Sequence, residues 1–231
     1  MNIQGVLLDV GGTMIHTSKP VGQIYAEAAE RFGGKLDPLS MQSAFGKAFK
    51  DIGSLEFTVA TARIKYEEWW RQIVFKSLER GAAGASAEFL QRKEEYFQYL
   101  YQLFTKKDMW QIYPDVIPTL TSLKSKGLKT AIVSNWDHRL RPLLRELDLE
   151  LYFDAIVISC EVGYEKPDPR IFHHAADRLN LAPETLVHIG DSRKNDFEGA
   201  HAAGITSLLI ARPEQNLTDL LNEILSLPPG A

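Results

Sequence analysis

A doubly wound α/β fold carrying a helical insertion is predicted for this 231-residue chain. Three features predict it. After about residue 115, short apolar runs alternate with helix-periodic segments, the signature of a parallel sheet with crossover helices. Between about 17 and 110 the pattern is helical throughout and no convincing strand interrupts it. Acidic, basic and hydroxyl residues follow directly on the apolar runs, where open parallel sheets bind ligands.

The elements follow in order. Gly5 to Asp9 reads as a short buried strand covering residues 4–9. Helices are expected near 20–33, 38–51, 57–80 and 86–105, with apolar positions three and four apart. The stripes include Ile64, Trp69 and Ile73, the last two four apart, and then Phe89, Phe97, Leu100 and Leu103, the last three at spacings of three. Gly33 and Gly34, Gly53, and Gly81 to Gly84 punctuate these helices. Four helices joined by short turns predict a bundle inserted after the first strand. A helix near 115–126 then ends at Gly127, a residue suited to a helix C-terminus. Strand 128–134, helix 138–148, strand 154–159, helix 169–180, strand 186–190, helix 195–203, strand 206–211 and a helix near 216–226 complete the series. Thr130 to Val133, Leu186 to Ile189 and Ser207 to Ile210 are nearly continuous apolar runs, as parallel strands covered on both faces require. Residues 1–16 and 111–231 are therefore assigned to the sheet-bearing core and 17–110 to the inserted domain. The tail from Leu227 to Ala231 is expected to fray.

A net charge of -4 gives no general attraction to nucleic acid or to an anionic membrane. The longest apolar runs are strand-sized, so no membrane span is expected. The chain enters its first strand with no basic and apolar leader before it. Cys160 is the sole cysteine, which excludes an intrachain disulfide and suits a reducing, cytoplasmic setting. It reads as a small packed residue and not as a nucleophile. No feature of the sequence sets the oligomeric state.

The chemistry concentrates in four places. Asp9 ends the first apolar run and is followed by Gly11, Gly12 and Thr13, so the backbone can close around whatever the carboxylate touches. Such an aspartate could cap a turn, or attack an electrophile and divide a hydrolysis into two steps. Lys166 lies between Tyr164 and Pro169 in a segment that two prolines keep extended. It could be a solvated surface charge, or a point charge on a phosphate and on Asp9. Ser134 and Asn135 end the strand before them, and their hydroxyl, amide and N–H groups could hold phosphate oxygens. Ser134, Asn135 or Asp137 could equally cap the next helix. Trp136 and His138 would border the pocket mouth, His138 as a surface residue. Asp191 and Asp196 stand five positions apart across a strand-to-helix turn and can face one point. Asp9, Asp191 and a backbone carbonyl near Gly11 suit a hard cation such as Mg²⁺, with Asp196 acting through water or orienting its neighbours.

The set resembles the haloacid dehalogenase superfamily of hydrolases. Asp9 to Thr13 resembles its first motif, Ser134 and Asn135 the second, Lys166 and Pro167 the third, and Gly190 to Asp196 the fourth, in the right order across nearly the whole chain. The insertion after the first motif resembles the C1-type cap of subfamily I. Asn135, Trp136 and Asp137, taken with Asp9 to Thr13, are most similar to the branch called haloacid dehalogenase-like hydrolase domain-containing 3, or REG-2-like. The resemblance implies a Rossmann-like core under a helical cap and a small phosphorylated substrate. It implies Asp9 as nucleophile, with Ser134 and Lys166 binding the transferring group. Gly12, Thr13 and Asn135 would complete the substrate contacts, and Asp9, the Gly11 carbonyl, Asp191 and Asp196 would form the Mg²⁺ site.

Gly11 departs from the family pattern, whose phosphatases carry there an aspartate that protonates the leaving oxygen and then activates water. A general acid–base group is worth roughly 10²–10⁴-fold, about 3–5 kcal/mol. A phosphatase that is slow or favours good leaving groups is expected. A phosphate- or metal-binding regulator is the first alternative and a 2-haloacid dehalogenase the second.

Overall fold

The computed structural model describes residues 2–225, the side chains of 223–225 excepted. The first half of the chain contains β1 (Gly5–Leu8), β2 (Ile15–Thr17), α1 (Val21–Glu30), α2 (Pro38–Ile52), α3 (Ala62–Gly81), α4 (Ala87–Gln91), α5 (Lys93–Leu103) and β3 (Trp110–Ile112). Next come α6 (Val116–Ser125), β4 (Lys129–Ser134), α7 (Leu140–Glu146), β5 (Ala155–Ile158), α8 (Ser159–Val162) and α9 (Pro169–Leu179). The chain ends with β6 (Leu186–Gly190), a π-helical turn (Arg193–Glu198), α10 (Gly199–Ala202), β7 (Thr206–Leu209) and α11 (Leu217–Leu225). It divides into two compact units, Met1–His16 with Ile112–Ala231, and Thr17–Gln111. Among the described residues no helix is long and apolar enough to cross a membrane. The expectation for the tail from Leu227 lies outside the described residues.

The first unit is the α/β fold read from the sequence, built on a parallel sheet in the order β5-β4-β1-β6-β7. β1 is central and wholly buried because Val6, Leu7 and Leu8 need cover on both faces. Leu7, Ala131, Val133, Ala155 and Val157 form one face of the sheet, packed with Ile171, Phe172, Ala175 and Ala176 of α9. By alternation Val6, Leu8 and Ile132 point to the other face. Separately, β2 and β3 pair as a two-stranded ribbon.

The second unit is helical, with a core of Ile24, Tyr25, Met41, Val74, Leu78, Phe89, Tyr96, Phe97 and Leu100. Two details differ from expectation. The fourth helix is broken at Arg92 (φ -96°, ψ 14°) into α4 and α5. The apolar period continues across the break, so only the backbone registers it. α3 starts at Ala62 and not near 57, because Thr58 N–H donates to Thr61 Oγ1 (3.0 Å) and holds a local turn in place of helix. Ile64, expected on the buried stripe, is 75% exposed. The stripe runs through Ala62, Tyr66 and Ile73, and residue 64 lies about 200° around the helix from Tyr66.

Candidate active site

β1 hydrogen-bonds to β4 on one side and β6 on the other, with Leu8 opposite both Ile132 and Ile189. This register aligns the three C-terminal tips, so Asp9, Ser134 with Asn135, and Asp191 emerge side by side. From β1 the sheet grows one way through β4 and β5, and from β6 the other way through β7. The crevice between β1 and β6 is thus the switch point at which such sheets bind ligands.

Lys166 joins the groups. Its Nζ donates to Asp9 Oδ1 (2.7 Å) and to Asp196 Oδ1 (2.6 Å), and all three residues are buried. The surface-charge alternative for Lys166 is thereby excluded. Asn135 fixes the lysine's backbone at both ends, accepting from Lys166 N–H at Oδ1 (2.7 Å) and donating from Nδ2 to the Lys166 carbonyl (2.8 Å). One Nδ2 hydrogen and the Oδ1 of Asn135 are thus engaged in aiming Lys166. Ser134 is buried at the tip of β4.

Asp196 is held by more than Lys166. His188 Nε2 lies 2.9 Å from its Oδ1, and Ser192 N–H donates to its Oδ2 (2.9 Å). Both oxygens are engaged by neighbours, which is the arrangement that orienting them requires. The wide π turn makes this possible, with Asp196 N–H and Phe197 N–H both donating to the Ser192 carbonyl. The sequence suggested an ordinary helix at 195–203. The extra residue in the turn swings Asp196 back beneath the strand tip, a use to which π turns are commonly put.

Asp9, Asp191 and Asp196 each offer an oxygen within 4.8 Å of the others. Three carboxylates against one ammonium leave an excess of two negative charges, and the donors are hard oxygens. That donor set suits a divalent hard cation. Asp191 keeps an exposed edge, yet desolvation within the cluster, then the Asp9 and Asp196 carboxylates, push it up to about 6. Burial is also the largest influence on Asp9 and, with Asp196, raises it despite Lys166. Burial opposes the charged form of Asp196 too, but Lys166 and His188 outweigh it and hold the carboxyl below the usual range. Burial opposes the Lys166 charge, yet Asp9 and Asp196 prevail and raise its pKa. One ammonium is thus shared by two carboxylates, and the better-bonded Asp196 holds its charge more firmly.

The loop after Asp9 closes on itself. Gly12 N–H donates to the Ile15 carbonyl (2.8 Å) and Thr13 N–H to the Val10 carbonyl (3.3 Å), so neither amide is left for a substrate. Thr13 Oγ1 is buried with no hydrogen-bond partner, and any substrate contact from this pair falls to it. Gly12 has φ +76°, and a Cβ there would lie 2.5 Å from Asp191 Oδ2. Glycine is required at that position by backbone and by space.

Two contributors were not singled out from the sequence. His188 lies inside the apolar run Leu186 to Ile189. A histidine inside a buried apolar strand, two before Gly190, needs a polar partner, and that was the signal. Arg212 left no local signal. Its Nε and Nη2 donate to the Thr13 carbonyl (3.0 and 2.8 Å) and its Nη1 to Asp115 (2.9 Å), tying the loop's exit to residues far away in sequence. His138 is half-buried instead of lying on the surface. Cys160 is buried, as expected of a packed residue.

A strand-tip aspartate paired with a buried lysine, beside further carboxylates at a switch point, defines a hydrolase-type α/β site. The haloacid dehalogenase-like hydrolase family matches residues 3–204, and the chain belongs to that family. It is 32% identical over 207 residues to "Haloacid dehalogenase-like hydrolase domain-containing protein 3" of Bos taurus, covering 89% of this chain and 81% of the relative. "Glyceraldehyde 3-phosphate phosphatase" of Methanopyrus kandleri is 41% identical over 106 residues, 43% of each chain. The crystal structure of a HAD phosphatase from Thermococcus onnurineus has a TM-score of 0.62 and 25% identity, covering 97% of this chain and 98% of the other.

Proposed function

We propose that this hydrolase is a Mg²⁺-dependent phosphatase acting on a small phosphorylated metabolite, with Asp9 as nucleophile. The observation that carries the reading is Lys166 Nζ bonded at once to Asp9 and Asp196, with Asp191 beside them. Lys166 holds the Asp9 carboxylate in one orientation and brings a positive charge to the approaching phosphate, which a bare carboxylate would repel. Asn135 sets the height of Lys166 through its backbone, and Asp196 anchors its ammonium from the far side. Ser134 is the hydroxyl nearest the tip of β4 for the non-transferring oxygens. Asp9, Asp191 and the Gly11 carbonyl would hold the cation, which when bound neutralises charge on the phosphoryl oxygens. The helical unit Thr17–Gln111 would act as the cap that selects the substrate. A relative named for phosphatase activity on a three-carbon phosphate agrees with a small substrate.

The test is Asp9→Asn in an aryl phosphate assay with Mg²⁺. Turnover should vanish; unaltered turnover rejects Asp9 as nucleophile. Release of halide from a 2-haloacid in the presence of a chelator would favour the dehalogenase reading. Binding of Mg²⁺ and phosphate with no turnover across a metabolite panel would favour a regulator.

A further inference from the structure

Gly11 and Gly12 are adjacent glycines with different causes. Gly12 needs its left-handed backbone, whereas Gly11 is not among the positive-φ residues and its backbone would accept a side chain. The obstacle at position 11 is spatial. A Cβ on Gly11 would meet the Trp136 ring, 3.1 Å from Cζ3 and 3.8 Å from Cη2. Among the described residues no other atom beyond the chain neighbours lies within 4 Å of that Cβ, so a side chain at 11 starts in tight contact with the indole, which would have to give by a few tenths of an ångström. The ring has little freedom to withdraw at its root. Trp136 N–H donates to Ser159 Oγ (3.0 Å), while Ser159 Oγ and Cys160 N–H donate back to the Trp136 carbonyl (3.1 and 3.3 Å). On the preceding side, Asn135 is clamped to Lys166. The Trp136 backbone is therefore held in place, and its indole lies against position 11, two residues along the loop from Asp9.

The geometry points to Trp136 as the residue that faces the leaving group, in the room a side chain at 11 would fill, selecting phosphates whose leaving oxygen is bonded to an unsaturated carbon. This deepens the phosphatase reading and rests on it. The groups bonded to or clustered with Asp9 are Lys166, Asp191 and Asp196, each committed to the charge chain or the cation site. Trp136 brings a flat, apolar surface there and no acid. The Asp9 oxygen bonds to phosphorus as the bond from phosphorus to the leaving oxygen breaks. The electron pair goes to that oxygen, which departs as a phenolate, enolate or carboxylate and takes its proton from bulk water. A water then bonds to phosphorus, the pair in the Asp9–phosphorus bond returns to the carboxylate, and the water's proton passes to solvent. Only a leaving group that is stable as an anion suits this sequence, and such groups are conjugated and planar, the shape that packs on an indole face.

The experiment measures kcat/KM for phenyl, enol, acyl and alkyl phosphates in the wild type, Trp136→Ala, Gly11→Asp and the double variant. In the wild type, kcat/KM should fall steeply as the leaving group becomes more basic, with aryl over alkyl phosphate exceeding roughly 100-fold, the lower range for a missing general acid. Trp136→Ala should raise KM for aryl and enol phosphates about 2- to 10-fold, as loss of an aromatic packing partner does, and leave alkyl phosphates little changed. Gly11→Asp alone should gain nothing on alkyl phosphates, while adding it to Trp136→Ala should gain at least about 10-fold. A wild type indifferent to leaving-group basicity overturns the proposal and needs no variant. So does an alkyl-phosphate gain from Gly11→Asp with Trp136 in place. Absence of any Asp9-dependent phosphate release is a different result, and refutes the phosphatase reading itself.

Discussion

Replacing Lys166 with methionine keeps most of the apolar stem and removes the charge, which isolates the electrostatic role of a side chain only 4% exposed. Asp9 and Asp196 would then face each other as buried carboxylates without a counter-ion. Removing one partner from a buried pair costs about 3–5 kcal/mol, and for a chain of this size about 1 kcal/mol moves Tm by roughly 2–4 °C. The expected fall is therefore about 6–20 °C at pH 7.5 in chelator. Its pH dependence is the sharper measurement. In the wild type Asp196 lies below the unfolded carboxylate value and Lys166 above the unfolded lysine value. Their contribution is present between those limits, lost as pH falls through the depressed Asp196 value and as pH rises through the raised Lys166 value. In the variant Asp9, already raised by burial and by Asp196, loses the ammonium that lowers it, so its destabilising effect grows as pH rises above about 4. The gap between variant and wild type should shrink markedly at pH 4.5. Thermal unfolding by circular dichroism at both pH values reads this directly. An equal Tm loss at pH 4.5 and 7.5 would mean that packing, and not charge, was removed, and would refute the account of Lys166.

Two further predictions concern Asn135 and Cys160. Asn135→Ala removes both hydrogen bonds to the Lys166 backbone; stability should fall by about 1–3 kcal/mol, and kcat should drop more than KM rises, measured by denaturant titration and steady-state kinetics. The Cys160 thiol, pushed up to about 12 by burial and then by Asp137 and Glu161, should carry roughly 1,000-fold less thiolate at pH 8 than an ordinary cysteine. Iodoacetamide labelling followed by mass spectrometry should accordingly be slow in the native protein and fast in denaturant; equal rates would contradict the burial.

The strands and site groups visible in the sequence share one property, a local pattern with a global meaning. The apolar runs ending at Asp9, Ser134 and Gly190 had to be buried strands. In a parallel sheet their tips share an edge, so convergence followed from topology without any measured distance. What stayed hidden depended on partners remote in sequence. Asn135 looked suited to phosphate because a carboxamide binds many acceptors, and only the fold brings the Lys166 backbone to it. Arg212 gives no local hint because Thr13 and Asp115 lie 199 and 97 residues away. The π turn was hidden for another reason. Residues 193–198 carry helix-compatible side chains, and one extra residue per turn leaves no compositional trace.

The excess negative charge at the site makes its own demand on stability. Asp191 is pushed up to about 6 by desolvation within the cluster and by Asp9 and Asp196, against about 3.9 for an unstructured aspartate. A raised carboxylate pKa makes folding less favourable as pH increases from about 4 to about 6. The metal-free protein should therefore lose stability across that interval, and a divalent cation should restore it. At 100 times its Kd, Mg²⁺ should add about 2.7 kcal/mol, roughly 5–11 °C in Tm. Below pH 6 protons compete for Asp191, so the concentration of Mg²⁺ needed for half the shift should rise. Asp191→Asn removes one of the two uncompensated charges. Its metal-free Tm at pH 7.5 should match or exceed that of the wild type, while its response to Mg²⁺ should be lost. Scanning calorimetry with and without Mg²⁺ separates these terms. A full Mg²⁺ response in Asp191→Asn would place the cation elsewhere, and a lower metal-free Tm would mean that Asp191 stabilises the fold instead of straining it.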